Sequence, residues 1–121
     1  MKELDVKCTV TSGDDEIIIN ATGDLTNNRL SFQDDEQIKH FIILEKNKMK
    51  YIRQGSVDMK YEFQENIITQ GSYQTLGKKL LFDIKTLTLE KKKDKLFVHY
   101  QLLQDKTVVN DATINIEYRE I

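Results

Sequence analysis

The sequence has no proline, no tryptophan, one cysteine and only five glycines. Without proline there is no proline-rich linker, and no low-complexity stretch or shift in composition divides the chain either. A single cysteine, Cys8, can neither close an intramolecular disulfide nor build a multi-cysteine zinc site. No apolar run approaches the roughly 20 residues that a membrane-spanning helix needs. The opening residues, Met1-Lys2-Glu3-Leu4-Asp5, carry charges where a signal peptide requires an apolar stretch. Charge of neither sign dominates, with 20 acidic against 18 basic residues and a formal net charge of -2. Such a balance supplies none of the concentrated positive surface on which nucleic-acid binding depends. The expectation is a reduced, cytoplasmic protein that engages neither membrane nor nucleic acid.

What is present is alternation. At 121 residues the chain has the size of one domain, taken as residues 1–121, and its 39% hydrophobic content suits a fold that buries one face of each strand. Runs of roughly 7–11 residues alternate in character and end in polar turns, the pattern of a β-sandwich or barrel. Leu4, Val6, Cys8 and Val10 share one parity, and Ser12-Gly13-Asp14-Asp15 turns the chain. Ile17, Ile19 and Ala21 line the next run, which is expected to end at Gly23-Asp24. Leu30 and Phe32 mark a short third run, and residues 38–45 are apolar on both faces. Lys46-Asn47-Lys48 reads as a tight hairpin, since asparagine tolerates the left-handed conformation.

Met49, Tyr51 and Arg53 then share a face, followed by Val57, Met59, Tyr61 and Phe63, and by Ile67, Thr69, Tyr73 and Thr75. Between Lys79 and Glu90 the parity changes: Leu80, Phe82 and Ile84 stand on one, Leu87 and Leu89 on the other. A β-bulge near Lys85-Thr86 would return all of them to one face. Leu96, Val98, Tyr100 and Leu102, then Ala112, Ile114, Ile116 and Tyr118, complete the set. No segment repeats every 3.6 residues. About eight to ten strands with short connections imply an all-β, antiparallel up-and-down β-barrel, because closure removes the exposed edges of a long meander. A sandwich needs longer crossovers, for which residues 23–28 are the main candidate.

Three stretches carry a likeness: Ile52-Arg53-Gln54-Gly55, Met59-Lys60-Tyr61-Glu62-Phe63, and Tyr73-Gln74-Thr75-Leu76-Gly77. An Arg-x-Gly step, a strand ending in Phe, a Tyr-x-Thr step followed by Gly, and a later Thr (here Thr86) resemble the pattern of the YwiB-like family of small bacterial proteins. The resemblance spans nearly the whole chain, although Gly77 follows Thr75 more closely than in the family pattern. It implies a calycin-like (lipocalin-like) barrel and no particular activity. The Gly-x-Trp of true lipocalins is absent, since the chain has no tryptophan.

Chemistry-bearing residues are few. Arg53, on the parity of Met49 and Tyr51, would bring a guanidinium into one end of the barrel. There it would either clamp a carboxylate or phosphate, or cap the barrel by bonding loop carbonyls or an acidic neighbour. Tyr61, Tyr73, Thr75 and Thr86 are polar-tipped residues on interior parities. With Arg53 they would line a semi-polar ligand cavity, or else bond backbone within a packed core. His40 reads as interior and His99 as exterior, with no spacing suited to a metal. Cys8 aligns with core residues, Asp34-Asp35-Glu36 reads as turn material, and Lys91-Lys92-Lys93-Asp94-Lys95 as a solvated hairpin tip.

No phosphate loop, nucleophile elbow or dinucleotide fingerprint is found, so neither an enzyme nor a cofactor is implied. The leading expectation is a barrel that binds a small anionic or amphipathic molecule through Arg53, Tyr61, Tyr73, Thr75 and Thr86. The alternative is a solid barrel serving as a homodimer or protein-interaction module, with Phe41 and Ile43 facing outward.

Overall fold

The computed structural model describes residues 2–121 and contains ten strands: β1 (Lys2–Ser12), β2 (Asp15–Thr26), β3 (Arg29–Gln33), β4 (Lys39–Leu44), β5 (Met49–Gln54), β6 (Asp58–Phe63), β7 (Ile68–Thr75), β8 (Lys78–Lys91), β9 (Lys95–Gln104) and β10 (Thr107–Glu120). Each pairs antiparallel with its neighbours in sequence, and β10 returns to β1, so the meander closes into a barrel. The closing ladder sets Val6 opposite Tyr118, Cys8 opposite Ile116 and Val10 opposite Ile114. Every one of these stands on the inward parity, so closure extends the apolar interior without a seam. Leu30, Ile42, Met49, Tyr51, Phe63, Ile84, Leu96, Val98, Ile114 and Ile116 are sealed inside.

Four local expectations are corrected. First, β2 runs through Gly23 to Thr26 and turns at Asn27-Asn28, Asn27 being left-handed at φ 56°, so residues 23–28 hold a two-residue hairpin and no crossover. Gly23 is an interior strand residue whose missing side chain is needed: a Cβ there would collide with the Ser31 carbonyl. Second, the connection 45–48 closes through Glu45 N–H donating to the Lys48 carbonyl at 3.0 Å, and Asn47 does not take a left-handed conformation. Third, Val57 and Ile67 lie in connections just before β6 and β7. Fourth, the register shift in β8 falls between Thr86 and Thr88, slightly beyond Lys85-Thr86. It restores Leu89 to the interior opposite Val98, but Leu87, the extra residue, points out at 37% exposure.

Alternation of the strands puts the connections 13–14, 34–38, 55–57, 76–77 and 105–106 at one end of the barrel. At that end the outermost inward-parity positions reach solvent. Ile17, opposite inward-facing Val10, is 59% exposed, and Leu80, opposite Tyr73, is 47% exposed. These half-exposed inward-parity side chains mark the rim of this end, the mouth of the barrel.

Candidate functional site

One inward-facing row crosses the barrel just inside this mouth. Register pairs Phe32 with His40, His40 with Arg53, Arg53 with Met59, Met59 with Tyr73, and Tyr73 with Leu80. Phe32 stacks flat on the His40 ring, with centroids 4.6 Å apart and planes 6° apart. One step deeper lie Tyr51 and Tyr61, opposite each other on β5 and β6. Gly71 stands beside Tyr61, and a Cβ there would press within 2.7 Å of both the Tyr61 ring and the Ile84 side chain. The glycine thus makes room for the tyrosine. Tyr61, Phe63 and Tyr100 pack edge-on and tilted against one another, with centroids 4.8–6.2 Å apart.

Four polar groups form a chain through this wall. The Asp34 carboxylate accepts the amides of Glu36 and Ile38 through Oδ1, at 2.9 and 3.0 Å, and meets His40 Nε2 through Oδ2 at 2.8 Å. On its other side, His40 Nδ1 lies 2.7 Å from the Tyr51 hydroxyl, to which Arg53 Nε–H donates at 3.4 Å. A consistent proton assignment follows. Neutral His40 donates from Nε2 to Asp34, Tyr51 donates to Nδ1, and the Tyr51 oxygen accepts from Arg53.

The electrostatics agree with that assignment. Burial lowers the pKa of His40, the hydrogen bond to Asp34 opposes this, and the charge of Arg53 adds to the lowering. For Asp34, burial works upward, but the bonds from His40, Ile38 and Glu36 outweigh it and hold the carboxyl below its ordinary value.

Arg53 is partly buried, with its guanidinium 5.2 Å from the centre of the Tyr51 ring. Among the described residues no carboxylate forms an ion pair with it. The acidic protons around it stay in place: burial pushes Cys8 up to about 11 and Tyr61 up to about 12, and drives Tyr51 and Tyr100 higher still. So among the described residues nothing that faces Arg53 from within the barrel neutralises it. Deeper in the barrel, Thr86 Oγ1 is buried without a hydrogen-bond partner among the described residues, on a residue only 5% exposed and opposite Tyr100. The hydroxyls of Tyr61, Tyr73 and Tyr100 likewise bond no described residue.

Residues 4–116 match the family model described as "Domain of unknown function (DUF1934)". The chain belongs to this family. It is also similar to a solved structure, described as "Crystal structure of ywiB protein from Bacillus subtilis", at 16% identity and a TM-score of 0.57 over 95% of this chain and 89% of that one. At that identity the likeness carries the fold alone. No curated protein matches the sequence.

In this DUF1934 barrel the residues singled out from sequence do not all gather. Arg53, Tyr61 and Tyr73 come together near the mouth, Tyr61 lying within electrostatic reach of both Arg53 and Tyr73. Thr86 lies deeper, on β8. Thr75 is the last residue of β7, directly before the end connection 76–77 and so at the rim, and among the described residues nothing ties it to Arg53. The residues missed were Asp34, read as turn filler, and Tyr51 and Tyr100, read as core. His40 was placed inside by parity, and its 1% exposure agrees. The only signal for Asp34 was its place in a polar turn six residues before His40.

Two concavities lie elsewhere. One of about 830 Å³ runs along β10, β1 and β2, where exposed Asp5, Lys7, Asn20, Glu117 and Arg119 mix both signs of charge. The other, about 400 Å³, crosses β7, β8 and β9 beside Leu81 and Leu103. Phe41 does face outward, but the Arg29 guanidinium covers its ring at 5.3 Å. The basic run forms the β8–β9 connection, as a hairpin tip. Among the described residues no three His, Cys, Asp or Glu side chains assemble into a metal site.

Proposed function

We propose that this protein is a non-enzymatic barrel that binds a small anion carrying an apolar portion, admitted through the mouth. The observation that supports this reading is Arg53: a guanidinium on the inner wall with no counter-charge among the groups facing it. Charges withdrawn from water are normally paired, so an unpaired one favours an anion from outside. Hydroxyls of Tyr61 and Tyr73 stand ready as further donors, and Ile17 and Leu80 offer apolar contact at the entrance. This composition, largely apolar with a few convergent polar groups, is that of a ligand pocket.

A direct test is to titrate n-hexanesulfonate into the full chain and follow amide resonances. Saturable shifts are expected on β5, β6 and β7. A charge-assisted hydrogen bond is worth about 1.5–3 kcal/mol, so Arg53→Ala should weaken binding roughly 10- to 100-fold. Lys92→Ala, at a hairpin tip of the opposite end, should leave it unchanged. Equal losses from both variants would overturn the assignment.

A second reading, a protein-interaction module, finds support in outward-facing Leu81 and Val108, which are 67% and 47% exposed near Leu103. Sedimentation that stays monomeric at high concentration would count against self-association through that face.

A further inference from the structure

We infer that the Arg53 site takes up a proton together with its anion, and that His40 is where the proton goes. This rests on the anion-binding reading above and adds to it a coupled ion. His40 and Arg53 are register partners on adjacent strands, both inward, and both reach the single hydroxyl of Tyr51. The groups facing His40 can be named element by element. Asp34 comes from the 34–38 connection, Tyr51 and Arg53 from β5, and Cys8 from β1 lies 4.0 Å behind the Tyr51 hydroxyl. Phe32 from β3 covers the ring and carries no charge.

Without a ligand, a second cation beside Arg53 is opposed by charge and by hydrogen-bond direction. Neutral His40 accepts at Nδ1 the proton that Tyr51 donates, and every member of the chain is satisfied. Protonated His40 carries hydrogen on both nitrogens. Nδ1 must then donate to Tyr51, whose oxygen already accepts from Arg53, and the Tyr51 proton is turned away with only the weakly accepting Cys8 sulfur near it. The proton balance is simple: one proton arrives from solvent at Nδ1, and no covalent bond changes.

An anion on Arg53 removes the electrostatic part of that obstacle. Its charge offsets the guanidinium, so the imidazolium beside it is no longer repelled, while Asp34 continues to hold Nε2. Linkage makes the effect reciprocal: if the anion favours protonation of His40, protonation tightens the anion by the same factor. The site therefore binds best below neutral pH, and its ligand enters as an acid equivalent, one anion with one proton.

The probe is n-hexanesulfonate, which stays ionised throughout, measured on the full chain at pH 7.5 and pH 5.5. The expected result is a tighter affinity at the lower pH, approaching but not exceeding the tenfold limit set by a rise of about one unit in the His40 pKa on binding. The His40 ring resonance, titrated with and without sulfonate, reads that rise in the unaltered protein. His40→Gln should bind equally at both pH values.

Equal wild-type affinity at the two pH values with an unmoved His40 titration would overturn the coupling while leaving the anion site intact. A pH dependence that persists in His40→Gln would do the same. No saturable binding at either pH would overturn the anion site itself.

Discussion

At the scale of single residues, the Tyr51 hydroxyl is the junction of the interior. It is wholly buried, satisfies His40 Nδ1 and receives Arg53 Nε–H. Tyr51→Phe keeps the ring and its tilted packing on His40, with centroids 5.8 Å apart, and removes only the oxygen. The imidazole, 1% exposed, is left with one nitrogen unpaired. A buried polar group stripped of its partner costs about 1–3 kcal/mol, and urea unfolding of Tyr51→Phe should show a loss in that range. Tyr73→Phe is the comparison, since the Tyr73 hydroxyl bonds no described residue; its loss should stay within about 0.5 kcal/mol. If the two variants lose stability equally, the chain of hydrogen bonds does not support the fold.

At the scale of strands, the bulge in β8 makes a sharper case. Leu87 is the residue without a partner, since Thr86 faces Tyr100 and Thr88 faces His99. Deleting Leu87 would let Thr88 follow Thr86 in regular pairing, leaving Ile84, Thr86 and Leu89 inside as before. Deleting Phe97 from β9 has no such slack, for it turns either Leu96 or Val98 to solvent. Exposing one such side chain costs about 1.5–3 kcal/mol, and each further residue turned outward adds to it. The Leu87 deletion should therefore fold, with near-native circular dichroism and a modest loss in the urea midpoint, while the Phe97 deletion should not accumulate as folded protein.

The same case shows what was legible in the sequence. A period of two is unambiguous when one face is apolar, so β1, β6, β9 and β10 could be read directly, and a parity switch can come only from an extra residue. The exact site of the bulge was not legible, because Leu87 and Leu89 look alike until register shows which one lacks a partner. Nor was the chain from Asp34 to Arg53. It is assembled by pairing between β4 and β5, and an aspartate in a turn carries no mark of what it will face. Arg53 was legible because a charge on an apolar parity is an anomaly wherever the strand lies.

At the scale of the molecule, the mouth and the core share their titrating groups, so whole-barrel stability should follow pH in a defined way. His40 has a folded pKa below its ordinary 6.5, because burial disfavours the cation. Above 6.5 both folded and unfolded chains leave it neutral. As pH falls below that value the unfolded chain takes up the proton first, and stability declines, by at most about 1.4 kcal/mol per pH unit for one proton. Asp34 is also lowered, from 3.8, so its contribution is present above that pH and is lost as acid passes down through its folded value. Asp111 shifts the same way through bonds from Gln101 and His99, but its side chain is 52% exposed and solvent screens it. Urea unfolding free energies should thus be flat from pH 8 to 6.5, decline through the His40 range, and drop again below 4. His40→Gln should flatten the first decline and shrink the second, since the His40 bond is the largest of those that lower Asp34, while the Ile38 and Glu36 amides keep part of it. Adding n-hexanesulfonate should stabilise the wild type more at pH 5.5 than at 7.5, since a ligand that binds only the folded chain stabilises it according to its affinity. A first decline that survives in His40→Gln would assign the acid sensitivity to groups outside the mouth.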